Sequence, residues 1–249
     1  MTNPTDTQIP AVATTNRAAT PSPVVTAGQS SKSWRRLFQS TVGLKILTAV
    51  TGVILSLFVL VHMLGNLQIF QGAEAIDAYA RFLRKEPALL WSFRAGLLAA
   101  VGLHIWAYVA LLRQNQKARP AVGYRVRHYK ESSVASRTMR WTGPLLLAFI
   151  IYHILHMTTG TVHATFREGE VYQNLVTAFR SVLVAVIYLV SMAMLGLHLW
   201  HGVWSVFQTL GASQPRYLSF GRRFATVFTV LVVLGFSAVP LAILAGVLK

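Results

Sequence analysis

The sequence predicts an all-α fold, an integral membrane bundle of five transmembrane helices. Three observations predict it. Of 249 residues, 54% are hydrophobic and only 12% charged, about half the charged share of a soluble domain. Five long apolar segments follow one another at about residues 43–70, 88–112, 139–160, 181–207 and 224–248. The basic residues collect in alternate connections between them, the pattern that sets the orientation of a membrane protein. This composition rules out a soluble enzyme, a disordered tail protein and a collagen-like fibre. Cysteine is absent, which removes disulfides, iron–sulfur ligation, thiolate zinc sites and covalently attached c-type haem from the chemistry of this chain.

Residues 1–33 are rich in Thr, Ala, Pro and Ser. They lack the apolar core of 7–15 residues that a signal peptide needs, so they read as a disordered cytoplasmic tail. The remaining residues, 34–249, form the membrane domain. A hydrocarbon layer of roughly 30 Å requires about 20 helical residues, and each apolar segment supplies them. Their interiors run without alternation, as in Val53–Ile54–Leu55–Ser56–Leu57–Phe58–Val59–Leu60–Val61. Strands of a membrane barrel would alternate, so the spans are helices.

Sixteen Lys and Arg residues fall on one side of the spans: five up to Lys45, eight from Arg113 to Arg140, and Arg216, Arg222 and Arg223. Only Asp6 and Glu131 oppose them. On the other side Arg81, Arg84, Lys85, Arg167, Arg180 and Lys249 are nearly balanced by Glu74, Asp77, Glu86, Glu168 and Glu170. The positive-inside rule puts the N-terminus in the cytoplasm and the C-terminus outside. Trp34 and Trp141 fall at the expected inner boundary and Trp91 at the outer one, where interfacial aromatics anchor a span. The net charge of +16 is therefore mainly an orientation signal and needs no nucleic acid partner.

Six of the eight histidines lie inside the spans: His62, His104, His153, His156, His198 and His201. An ionisable group in a bilayer is costly and faces a partner inside the bundle. One such histidine is explained by a hydrogen bond to a neighbouring helix; six over four consecutive spans point to ligation, since neutral imidazole binds iron, copper and zinc. Depth sorts them. His62 and His153 come late in spans running outward, hence in the outer half. His104 and His198 come about 15 residues after spans that enter from outside, roughly 22 Å deep at a rise of ~1.5 Å per residue, hence in the inner half. Two bis-imidazole sites stacked in a four-helix core suit two b-type haems, and Gly52, Gly65, Gly96, Gly102, Gly143, Gly196 and Gly202 are available to open slots or to bring helices close. Spacing alone does not choose between His153 and His156, or between His198 and His201, because residues three apart share a helix face.

Three segments carry a family resemblance: Val61–His62–Met63–Leu64–Gly65–Asn66–Leu67–Gln68, the stretch Glu74–Ala75–Ile76–Asp77–Ala78–Tyr79–Ala80–Arg81–Phe82–Leu83, and Leu197–His198–Leu199–Trp200–His201–Gly202–Val203–Trp204–Ser205–Val206–Phe207–Gln208–Thr209–Leu210–Gly211. Over about residues 38–248 the chain resembles the single-chain, five-helix, di-haem cytochrome b subunit of bacterial succinate dehydrogenase or fumarate reductase. The resemblance implies axial haem ligands His62 with His153 at the outer haem and His104 with His198 at the inner haem. It also implies an inner-membrane anchor for flavoprotein and iron–sulfur subunits docked on the cytoplasmic face, with menaquinone as the membrane substrate. Its partners are then these subunits, the lipid bilayer and quinone, and it is compatible with a higher oligomer. Succinate chemistry itself would belong to those partner subunits, because this chain has neither a flavin motif nor cysteine.

His156, His201, Arg81, Arg94, Arg137 and Arg140 are the candidates for haem propionates or haem neighbours. Gln68, Glu74, Asp77 and Tyr79, with His156, are the candidates near a quinone at the outer end. Some di-haem fumarate reductases carry a Glu two residues before the fourth-span ligand; here that position is Gly196, and all seven acids lie outside the spans. Two alternatives stand beside this reading: a haem-b quinone subunit of a formate dehydrogenase, hydrogenase or nitrate reductase, which the fourth-span motif disfavours, and, from another class, a transporter or channel using the histidines as a proton relay.

Overall fold

The computed structural model describes residues 40–118, 134–211 and 214–249. The expected N-terminal tail, and the basic residues Arg119, Arg125, Arg127 and Lys130, lie outside the described residues. Helix α1 is Thr41–Leu67, followed by a 3₁₀ turn, Gln68–Gln71; α2 is Ala73–Arg84; α3 is Pro87–Lys117; α4 is Val134–Met157; α5 is Val171–Phe179; α6 is Val182–Thr209; α7 is Pro215–Leu244. No strand occurs among the described residues. Five of these helices, α1, α3, α4, α6 and α7, are long and apolar enough to cross a membrane.

Helix starts follow local chemistry. The Ser40 hydroxyl accepts from Gly43 N at 3.0 Å and caps α1, and Pro87 and Pro215 open α3 and α7, where a missing N–H costs nothing. Pro144 and Pro240 sit inside α4 and α7, as proline does more readily in membrane helices than in soluble ones. Gly72, at φ 105°, breaks the chain between the 3₁₀ turn and α2 in a backbone region that other residues avoid.

Helix α1 packs against α3, α6 and α7, and α6 packs against α4 and α7. Among the described residues α1 makes no comparable packing with α4, nor α3 with α6. The large apolar side chains of the spans point mostly outward; Leu98 is 75% exposed and Leu183 70%, a surface suited to lipid. The main buried cluster lies at one end of the bundle and joins the 3₁₀ turn, α2, α5, α6 and α7 through Ile69, Ile76, Leu175, Val176, Phe179, Ala185, Tyr188, Val239 and Ile243. Burial of side chains such as Val176 and Phe179 contributes about 1.5–3 kcal/mol each relative to water.

That cluster makes α2 and α5 a cap over one end, the end the charge count expects outside. Asp77 Oδ1 of α2 accepts from Tyr172 N at 3.0 Å and so caps α5 from a distant part of the chain. The Tyr172 hydroxyl donates to the Lys249 carbonyl at 3.2 Å, bringing the C-terminus to the same end. The chain between α4 and α5 is folded on itself. Asn174 closes it with two bonds, accepting from Arg167 N at 2.9 Å and donating to Arg167 O at 2.7 Å. Phe166 lies over Gly160, whose φ is 70°.

Candidate functional site

The histidines line up along the bundle in two levels. Nearer the capped end the ring of His62 on α1 faces that of His153 on α4, with centroids 5.8 Å apart and planes at 81°. Toward the other end the ring of His104 on α3 faces that of His198 on α6, at 6.4 Å and 55°. These are the helix pairs that do not otherwise pack together. A metal–nitrogen bond is about 2 Å long, so two imidazoles sharing one ion have ring centres on the order of 6 Å apart. Both pairs meet that spacing, and as neutral donors from facing helices they would suit a haem iron, to which they would supply imidazole nitrogens. Among the described residues no group of three or more His, Cys, Asp or Glu is placed to hold a metal ion.

Hydroxyl groups orient three of the four rings. Thr51 Oγ1 stands 3.0 Å from His104 Nδ1, while its own proton goes to the Leu47 carbonyl at 2.7 Å. Thr51 therefore accepts from His104, Nδ1 carries the hydrogen, and Nε2 keeps its lone pair. Thr142 Oγ1 stands 3.3 Å from His198 Nδ1 and reaches the Met139 carbonyl at 3.4 Å. Both threonines are almost fully buried, at 3% and 1% exposure. Tyr188 OH lies 3.3 Å from His153 Nδ1 and 3.0 Å from His156 Nδ1. His62 is placed differently: it stacks on Phe58 at 5.4 Å and meets Phe236 at 5.7 Å, and Asn66 Nδ2 donates to its backbone carbonyl at 2.8 Å.

His156 is buried and stacks on Tyr152 at 5.2 Å. Its ring also meets Tyr188, at 5.8 Å, and His163, at 4.8 Å, a histidine of the α4–α5 connection that no sequence pattern singles out. His201 is half-buried one turn beyond His198 on α6.

The glycines divide by environment. A Cβ on Gly52 would touch the His104 ring at 3.4 Å, so this glycine lets the ring lie against α1. Gly65 receives Tyr79, and Gly196 receives Val233 of α7. Gly96, Gly102, Gly143 and Gly202 face open space.

The remaining candidates are spread over both ends. Tyr79 leans on Gly65, one turn beyond His62 on α1, and Gln68 begins the 3₁₀ turn after it. Glu74 is exposed in the first turn of α2, and Asp77 is engaged with Tyr172 N. Arg81 is exposed on the last turn of α2. Arg94 lies over the Trp91 ring at 4.9 Å. Arg137 and Arg140 are exposed near the start of α4, at the opposite end from α2.

Comparison with known families matches residues 114–238 to the succinate dehydrogenase/fumarate reductase transmembrane subunit. No curated protein and no solved structure matches the chain. The family match takes in the end of α3, all of α4 to α6 and most of α7, and with them His153, His198 and the fourth-span motif. A bundle of five long apolar helices and a match over half of the chain agree: the protein belongs to the succinate dehydrogenase/fumarate reductase transmembrane subunit family.

Proposed function

We propose that this chain is the di-haem cytochrome b membrane anchor of a bacterial succinate dehydrogenase working with menaquinone, carrying electrons between an iron–sulfur partner and the quinone. The observation that carries the proposal is the pair of facing imidazoles at each of two levels, 5.8 and 6.4 Å apart. In this reading His62 and His153 hold the outer haem, and His104 and His198 the inner one. Haem iron, when bound, supplies one-electron chemistry to both levels.

The chain's own part is to hold and insulate. Thr51, Thr142 and Tyr188 fix ring orientation through Nδ1, leaving Nε2 as the ligating nitrogen. Apolar walls such as Phe58, Phe149 and Phe236 keep water from the rings.

The basic end, with Arg113, Lys117, Arg137, Arg140, Arg216, Arg222 and Arg223, faces the cytoplasm in the inner membrane and presents positive charge to the iron–sulfur and flavoprotein subunits. Quinone binds at the capped end, near Gln68, Tyr79 and His156. Glu74 stands at the surface there, able to trade protons with water.

The test is a dithionite-reduced minus oxidised spectrum of the complex purified through this chain. A b-type α band that reoxidises with a menaquinone analogue is the expected result. A preparation holding both soluble subunits but showing no α band overturns the reading.

A further inference from the structure

Helices α6 and α7 leave a groove of about 260 Å³ between them. Its walls include Ala193, Gly196 and Trp200 of α6 and Thr226, Val230 and Val233 of α7. On each helix these residues fall three or four apart, so each set forms one face. Ala193, Trp200, Thr226 and Val230 are exposed, so the groove opens toward lipid. It is apolar because its polar groups turn elsewhere. Trp200 Nε1 donates to Thr226 Oγ1 at 3.2 Å, and the Thr226 hydroxyl donates to the Arg222 carbonyl at 3.0 Å. Thr229 turns its methyl toward Gly196, and its hydroxyl is buried.

The groove has a charged mouth. Trp204 lies one turn beyond Trp200 on α6, and Arg222 one turn before Thr226 on α7, so both continue the same faces toward the basic end. The exposed Arg222 guanidinium lies over the Trp204 ring, 4.9 Å from its centre. A stacked guanidinium still directs its N–H donors sideways, in its own plane. Among the described residues no acid stands at this end: Glu74, Asp77, Glu86, Glu168 and Glu170 all belong to the opposite side of the spans. From Val233 to Arg222 the helix rises roughly 16 Å at ~1.5 Å per residue. That is about half of a hydrocarbon layer of roughly 30 Å, the depth of one leaflet.

We propose that this groove binds one anionic glycerophospholipid from the leaflet at the basic end, with its phosphate on Arg222 and one acyl chain lying between α6 and α7. Apolar walls of one-leaflet depth fit an acyl chain. Trp204 marks the headgroup level, where interfacial aromatics sit. The cation at the mouth, with no acid beside it, selects an anionic head; the neutral head of a quinone would leave that charge unanswered. One arginine near an anionic surface is worth about fivefold in lipid affinity. The bound lipid closes the seam between α6 and α7 from outside. The proposal concerns that seam alone and stands apart from the haem reading.

The experiment is native mass spectrometry of the intact complex, washed in mild detergent and titrated with phosphatidylglycerol or phosphatidylcholine. The wild type is compared with Arg222→Gln, Ala193→Trp and Arg216→Gln. Ala193→Trp fills the groove from an exposed position. Arg216 is a control: it stands at the same end but lies over Tyr217, at 4.7 Å. The wild type is expected to hold phosphatidylglycerol in preference to phosphatidylcholine. Arg222→Gln weakens that binding about fivefold, Ala193→Trp abolishes it, and Arg216→Gln leaves it unchanged. Equal binding of the two lipids by the wild type, or undiminished phosphatidylglycerol in Arg222→Gln or Ala193→Trp, overturns the proposal. So does an equal loss in Arg216→Gln, or a quinone or second copy of the chain held in place of the lipid. If Arg222→Gln does not assemble, Ala193→Trp decides, because it leaves the charge in place and removes only the room for the chain.

Discussion

Thr51 Oγ1 lies 3.0 Å from His104 Nδ1, with the two residues on different spans and both turned inward. The same relationship recurs between Thr142 and His198 on the other two helices of the first four spans. Each inner ring is thus held by a threonine whose own helix lies beside that ring's helix, α1 beside α3 and α4 beside α6.

Valine has nearly the shape of threonine but no hydroxyl, so Thr51→Val leaves packing intact and frees the His104 ring. Loss of an outer partner of a metal-ligating histidine typically costs about 10–100-fold in affinity. The expected outcome is a drop of that order in haem retention at the inner level alone, read from haem content after extended washing in detergent. Equal loss at both levels would count against the assignment of Thr51.

Gly196 is where α6 meets α7. A Cβ there would stand 3.0 Å from Val233 Cγ2 and 3.8 Å from Thr229 Cγ2. Gly196→Ala therefore pushes the two helices apart and costs about 1–3 kcal/mol, as overpacking does. The check is a lower thermal transition in detergent with the b-type spectrum retained. Gly196→Glu, which would restore the acid of some fumarate reductases, costs more, because a longer and ionisable side chain must enter the same contact.

Asp77 caps α5 through Tyr172 N. Asp77→Ala removes that acceptor and loosens α5 by about 0.5–2 kcal/mol, the usual worth of a helix cap. Asp77→Asn, whose side-chain carbonyl still accepts, retains most of it. Hydrogen exchange at the first amides of α5 separates the two variants. If both exchange like the wild type, the cap carries no weight.

Much of this was legible in the sequence because the spans are long and apolar without interruption. The five expected segments each overlap a membrane-length helix, and the depth argument pairs the histidines that the structure sets face to face. The ends were less legible. α7 begins at Pro215, well before the expected 224, because its first turns carry Arg216, Arg222 and Arg223 and lack the apolar signal. Helices α2 and α5 are short and amphipathic, with Ile76, Leu175, Val176 and Phe179 buried. Windows of span length pass over them, whereas the three-to-four spacing of those apolar residues marks them. Thr51 and Thr142 gave no local signal at all, since their partners are 53 and 56 residues away in the chain. His163 is hidden for a related reason: a single histidine between spans has no spacing to read, and only the fold brings it to His156.

The separation of the four histidines into two independent pairs is the central claim. The measurement is haem content and reduced spectrum of the purified complex carrying His62→Ala, His104→Ala, His153→Ala or His198→Ala. Two haems are expected per wild-type chain. His62→Ala and His153→Ala must each remove the same one, with His104→Ala and His198→Ala removing the other. Loss of one and the same haem in both His62→Ala and His104→Ala contradicts the account.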